Sequence, residues 1–221
     1  MDKLLSLIFT VVFSYLFGSL NSAIIVCRAW KKQDIRDYGS KNAGLTNVLR
    51  VYGKGPALAT LLCDLAKGVI AVVLCRIVVH KGFGVVLFDD PRFIGYVAGL
   101  CVMIGHCFPV FYGFHGGKGV LLAATTLLAI DPLTCVLSVS VFIILVAVTK
   151  YVSVGSICAA VAYPTFTFLM QNFVYSGGYA VVPNTLVALC ICILIIYLHK
   201  PNIIRLKNGT ENKFGQKKKE Q

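Results

Sequence analysis

Residues 105–120, GHCFPVFYGFHGGKGV, set a histidine, an aromatic run and a glycine-flanked lysine between two strongly apolar segments. Gly116, Gly117 and Gly119 let a backbone approach a ligand closely, and Lys118 brings a positive charge to the same place. That combination suits a phosphate. It is not a nucleotide-binding P-loop, which needs a glycine five residues before the Gly-Lys pair and Ser or Thr after the lysine. Here Tyr112 and Gly119 stand at those positions. The structural alternative is a helix break packed by glycines, with Lys118 reaching to the membrane interface.

Three further polar segments have related chemistry. GSKNAGLTNVLR, residues 39–50, supplies Ser40, Asn42, Thr46, Asn47 and Arg50, a donor-rich set suited to phosphate oxygens and a polyol. The plain alternative is an Asn/Gly-rich connecting loop with one surface arginine. KYVSVGSI, residues 150–157, places Ser153 and Ser156 three apart at a predicted helix start, where free N–H groups and the dipole favour an anion; ordinary serine N-capping is the alternative. HKPNIIRLKNGTE begins at His199. His199, Asn202 and Arg205 are spaced three apart, so a continuing helix gives them one side, and a polar membrane-exit segment is the alternative.

The elements that must carry these segments are membrane helices. Of 221 residues, 57% are hydrophobic and 14% charged, with a mean hydropathy of +0.81, as in polytopic helical membrane proteins. Apolar stretches at 4–27, 56–79, 93–111, 133–149, 154–170 and 184–198 are predicted to span. A short one at 119–130 is read as a seventh helix, although a five-span version with 119–149 as a hairpin keeps every polar loop on the same side. The first stretch lacks a basic leader and is too long for a signal peptide, so it is kept as a mature helix. The nine cysteines lie in apolar stretches and read as small helix residues.

The net charge of +12 first suggests nucleic acid, but its placement favours a membrane. In the seven-helix topology 16 basic residues fall on one side and three on the other, which puts the C-terminus and all four polar segments in the cytoplasm and the N-terminus outside. The basic tail, 206–221, is a solvated topology signal in contact with anionic lipid. Asp64 and Lys67 lie three apart inside the second span and read as support near the site, as a mutually satisfied pair. His80 and His115 receive no role.

The four segments are rich in anion donors and poor in carboxylate, base or nucleophile. Such a site suits an already activated substrate, for which positioning and charge stabilisation supply much of the rate. The rivals are an organic-phosphate transporter, whose site belongs near the midplane between repeated halves, and a transferase using a nucleotide-activated lipid, which wants clustered aspartates for a metal. A purely structural role leaves the four clusters unexplained.

At these residues the chain resembles the bacterial acyl-phosphate:glycerol-3-phosphate acyltransferase (PlsY) family, over nearly its whole length and in segment order. GHCFPVFYGFHGGKGV is the most specific match; GSKNAGLTNVLR, SVGS and HKPNIIRLKNGTE are the others. The resemblance implies a single seven-helix membrane acyltransferase domain, 1–221, in the inner (plasma) membrane, with its site at the cytoplasmic leaflet. It implies acyl transfer from a fatty acyl phosphate to the sn-1 hydroxyl of glycerol 3-phosphate. The products are lysophosphatidate and phosphate, in the first acylation of phospholipid synthesis. No cofactor, coenzyme A or metal is implied. The implied partners are the two substrates, membrane lipid and, functionally, the enzyme making acyl phosphate.

By position, Ser40, Arg50, Lys118 and Ser156, or Ser153, are implied to hold phosphate. Asn42, Thr46 and Asn47 are implied to line the first loop, and Gly116 and Gly117 to adjoin the ligand. His199, Asn202 and Arg205, with Glu211, are implied to orient glycerol phosphate. Lys118, Arg50, His199 and Asn202 carry the catalytic assignment. The departing phosphate itself takes the hydroxyl proton in this family. Two departures stand out: Lys41 replaces a usual glycine, and Leu121-Leu122 replace a small residue and a threonine.

Overall fold

The computed structural model describes residues 2–175 and 177–215. Among the described residues every regular element is helical, and six helices are long and apolar enough to cross a membrane. The seventh apolar segment, α6 (Val120–Ile130), has 11 residues, the short helix expected there. The chain divides into two compact units, residues 1–131 with 177–180, and 132–176 with 181–221. The part of the basic tail beyond Gly215 lies outside the described residues.

The first unit holds α1 (Asp2–Gly18), α2 (Ser22–Lys31), α3 (Leu45–Tyr52), α4 (Lys54–Ile77), α5 (Phe93–Cys107) and α6. Helix α1 buries Ser6, Thr10, Ser14 and Gly18, a small residue at every fourth position, and lies along α5. The serine and threonine hydroxyls of Ser6 and Thr10 turn back to carbonyls of their own helix, Asp2 O at 2.6 Å and Ser6 O at 2.8 Å. The seam is therefore narrow. A Cβ at Gly18 would strike the Val102 carbonyl, and one at Gly105 the Tyr15 carbonyl. Without a hydrophobic force between helices in lipid, such close approach is what holds them.

The first span differs from the expectation. Residues 4–27 form no continuous helix: α1 stops at Gly18, and α2 starts at Ser22 with Asn21 as its cap, Oδ1 accepting from Ile24 N–H at 3.1 Å. The apolar pattern runs through this break because hydropathy records burial in lipid, not helical continuity. The polar segment after α2 also contains more structure than a loop, since α3 forms within it and packs Val48 into a cluster with Ala23, Ile24, Cys27, Ile35, Ala43 and Ala57.

The second unit comprises α7 (Pro132–Thr149), α8 (Val152–Leu169), α9 (Val181–Leu198) and α10 (Lys200–Lys207), with α8 packed against both α7 and α9. Gly155 lets α8 approach the backbone of Phe142. Buried Asn184 on α9 donates to Gln171 Oε1 at 2.9 Å, a polar tie that hydrocarbon would not supply.

Candidate functional site

In the first unit the donor-rich loop is shaped by Asn47. It is 1% exposed, and its Oδ1 accepts from Ser40 N–H at 2.9 Å. Its Nδ2 faces the carbonyls of Ile35, Tyr38 and Asn42 at 3.3, 3.0 and 3.1 Å. A carboxamide has two N–H donors and an oxygen with two lone pairs, so both donors and one lone pair are spent on folding its own loop. That corrects the expectation that Asn47 lines a substrate. What the loop turns outward is Ser40, Thr46 and Arg50, all exposed, with Asn42 half-buried. Lys41 sits at φ +58°, the left-handed conformation that a glycine takes readily.

The Gly116–Lys118 segment is joined to that loop directly. Ala43 N–H donates to Gly116 O at 3.4 Å. Arg36 adds a second tie, Nη1 donating to the carbonyls of Tyr112 at 2.6 Å and His115 at 3.3 Å. Arg36 is itself held by Asp34, whose carboxylate accepts from its Nε at 3.0 Å and Nη2 at 2.9 Å and from Arg28 Nη2 at 2.8 Å. The Arg36 hydrogen bonds first, opposed by burial and assisted by Arg28, hold the Asp34 carboxyl well below the usual carboxylate range. Neither Asp34 nor Arg36 stood out in the sequence. The available signal was a pair of acidic side chains, Asp34 and Asp37, flanking Arg36 in a basic stretch.

The glycines serve a contact other than the expected one. Gly116 N–H donates to Cys107 O at 3.0 Å and Gly117 N–H to His106 O at 3.1 Å. A Cβ on Gly116 would strike the His106 carbonyl, and one on Gly117 would strike His106 Nε2. The two residues thus bring the loop onto the end of α5, and their N–H groups are taken by protein carbonyls. Gly119, at φ +75°, caps α6 against Met103. Lys118 lies half-buried between two buried glycines. Leu122, where a threonine is usual, is buried with Ala71 and Val102, so that position serves the core.

In the second unit the later segments converge on Glu211. Asn202 Nδ2 donates to Glu211 Oε1 at 2.7 Å, and Arg205 Nε donates to Oε2 at 2.6 Å. The segment carrying Glu211 returns to α8 through Phe214 N–H, which donates to Lys150 O at 2.7 Å. Burial raises the Glu211 pKa, but the hydrogen bonds from Asn202 and Arg205, the neighbouring Ser153 hydroxyl and the arginine charge outweigh it, and the carboxyl lies below its ordinary value. Ser153 is buried, and its hydroxyl neighbours Glu211 without an aligned hydrogen bond.

Ser153 and Ser156 do not cap α8. Tyr151 is the cap residue and gives no side-chain bond, while Ser156 Oγ donates back to Val152 O at 2.8 Å. The predicted common side of His199, Asn202 and Arg205 is realised in part. The helix breaks at His199, the N-cap of α10, whose Nδ1 lies 2.7 Å from Ile195 O, and Asn202 and Arg205 then share one side on Glu211.

Both units therefore present cationic and amide donors on polar segments at the ends of apolar helices, the arrangement of an integral membrane protein that handles an anionic substrate. A family model described as glycerol-3-phosphate acyltransferase matches residues 8–209, and the chain belongs to that family. It is 39% identical over 216 residues to a glycerol-3-phosphate acyltransferase of Clostridioides difficile (strain 630), covering 98% of this chain and 99% of the relative. The corresponding protein of Halalkalibacterium halodurans is 40% identical over 213 residues, covering 94% and 95%.

Among solved structures, the fold matches that of PlsY (YgiH), an integral membrane glycerol 3-phosphate acyltransferase. In its glycerol 3-phosphate form the TM-score is 0.79 at 35% identity, with 95% of this chain and 96% of that chain covered. In its lysophosphatidic acid form the TM-score is 0.77 at 34% identity, with the same coverage.

Proposed function

We propose that the chain, as one acyltransferase domain, moves a fatty acyl group from acyl phosphate to the sn-1 hydroxyl of glycerol 3-phosphate. The hydroxyl oxygen attacks the acyl carbonyl carbon, the bond from that carbon to the phosphate oxygen breaks, and the departing phosphate takes the hydroxyl proton. Lysophosphatidate and inorganic phosphate result. No nucleophilic side chain is needed when the leaving group is already activated, so the protein's part is positioning and charge neutralisation.

The observation that carries this reading is the exposed Arg50 and Ser40 on a loop bonded through Ala43 to the Gly116–Lys118 segment, in a chain of this family. Ser40, Arg50 and Lys118 hold phosphate, with Thr46 and Asn42 as neighbouring donors. In the second unit Arg205, His199 and Asn202 orient glycerol 3-phosphate, with Glu211 fixing two of them; Ser156 and Ser153 support that segment. Of the Arg205 donors only Nε is given to Glu211, which leaves its two amino groups for a phosphate. The solved relative's glycerol 3-phosphate and lysophosphatidic acid forms support the same substrate and product for this chain.

The excess of 16 basic residues over three on opposite sides supports a site on the cytoplasmic face; the proposed reaction further requires the plasma membrane as its place and an enzyme that makes acyl phosphate as its supplier. Purified protein in detergent, given acyl phosphate and glycerol 3-phosphate, is expected to release phosphate and form 1-acylglycerol 3-phosphate. Product from acyl-CoA but none from acyl phosphate overturns the donor.

A further inference from the structure

The break in the first span leaves carbonyls without helical partners inside an apolar unit, where each needs a donor. Lys67 supplies it. Its Nζ lies 3.0 Å from Leu20 O and 3.5 Å from Gly18 O, and the same ammonium is 3.2 Å from Asp64 Oδ1 and 3.5 Å from His106 Nδ1. All three side chains are at most 5% exposed. The Asp64 and Lys67 atoms face each other as an ion pair without hydrogen-bond alignment. An ammonium has hydrogens and no lone pair, so Nδ1 meets it as acceptor and the ring proton of a neutral His106 belongs on Nε2, the atom against Gly117.

Asn21 completes the group. Its Nδ2 faces His106 O at 3.3 Å and Ala43 O at 3.4 Å, so one amide touches the ends of both polar segments. His106 O also receives Gly117 N–H, and Ala43 N–H reaches Gly116 O. The broken span, the first loop and the glycine loop are therefore joined through four side chains, none of which faces solvent.

We propose that Asn21, Asp64, Lys67 and His106 form one positioning hub that sets the Gly116–Lys118 backbone against the Ser40–Asn47 loop and so places Lys118 for the phosphate. The hub rests on the reading of Lys118 given above. Its members are positioning residues; none is assigned a contact with substrate. Stability alone does not account for the charges, because a buried ion pair is often replaced by apolar residues of similar volume at little cost. The hub reading makes a different demand: the charges must be present for the loop to sit correctly.

The test uses the Asp64→Leu/Lys67→Met double variant, which removes both charges together, and His106→Asn beside His106→Ala. The asparagine oxygen can replace Nδ1 as the acceptor for Lys67. The expected result for the double variant is a protein that still folds, with a lowered melting temperature because the Leu20 and Gly18 carbonyls lose their donor, and with kcat/KM reduced tenfold or more, the change appearing in kcat as it does when Lys118 itself is lost. His106→Asn retains more activity than His106→Ala.

In a cycle with Lys118→Arg, the His106→Ala loss shrinks, since both changes act through one side chain. Amide exchange at residues 116–117 quickens in the double variant and in His106→Ala, a readout independent of turnover. Folded variants with wild-type rates and unchanged exchange overturn the hub, as do losses that multiply fully with Lys118→Arg. If wild type makes no product while exchange responds as expected, the functional reading fails and the hub as a loop-setting device stands.

Discussion

Arg205 Nε lies 2.6 Å from Glu211 Oε2, and among the described residues this carboxylate is the one acidic group that Arg205 meets. The carboxylate fixes the guanidinium plane through one edge nitrogen while the amino groups remain directed elsewhere. A half-exposed arginine of this kind would otherwise sample many rotamers, so the pair serves orientation more than stability. The same carboxylate takes Asn202 on its other oxygen, which makes Glu211 the organiser of α10.

Glu211→Gln is therefore expected to raise KM for glycerol 3-phosphate about tenfold, equivalent to ~1.4 kcal/mol, with a smaller effect on kcat. Steady-state phosphate release at varied glycerol 3-phosphate checks it. An unchanged KM removes Glu211 from the orienting role.

The same residue sets a pH dependence. Burial raises its folded pKa, but the bonds from Asn202 and Arg205, with the Ser153 hydroxyl nearby, outweigh that effect and hold it below the ordinary 4.5. A lowered folded value means the ionised clasp stabilises the protein fully above the unfolded pKa and is lost as pH falls through the folded one. The difference in melting temperature between wild type and Glu211→Gln should stay constant from about pH 8 to about pH 6 and shrink under more acidic conditions. Thermal unfolding in detergent across that series is the measurement.

Lys41 offers a stabilising change. At φ +58° it occupies a conformation that costs a residue with a Cβ about 1–2 kcal/mol, against the greater chain freedom glycine has when unfolded, about 0.5–1 kcal/mol. Lys41→Gly should raise stability by up to about 1 kcal/mol, seen as a higher melting temperature. A fall would mean that the lysine side chain holds the loop in some other way.

Much of this was legible in the sequence, and the failures share a cause. The apolar runs located the spans and the short α6, because lipid burial imposes length and composition directly. The break at residues 19–21 was not legible, since Ser19, Leu20 and Asn21 look like tolerable helix residues until Lys67 and His106 arrive from α4 and α5. Asn47 was misread for a related reason. A carboxamide in a polar loop offers the same donors to a ligand or to its own backbone, and only the folded turn shows which partner claims them. Gly116 and Gly117 were read as letting the backbone approach a ligand; the contact the fold shows for them is with His106 and Cys107.

Asn47→Ala should accordingly act as a folding variant. It leaves Ser40 N–H and three carbonyls without their partner, a cost of about 2–3 kcal/mol for buried groups. Melting temperature and kcat/KM are expected to fall together. Lost activity at full stability would return Asn47 to the substrate.

Lys118 is the sharpest test of the proposed chemistry. Charge develops on the phosphate oxygens as the acyl bond breaks, and a fixed ammonium stabilises the transition state more than the ground state. Lys118→Ala should lower kcat by about two to three powers of ten or abolish turnover. The glycines that shape its loop remain bonded to His106 O and Cys107 O, so the variant should stay folded. Lys118→Arg keeps the charge but offers a planar fork in place of a point donor, and intermediate activity is expected. Near-normal turnover of a folded Lys118→Ala protein would show that the phosphate is held by Arg50 and Ser40 without it.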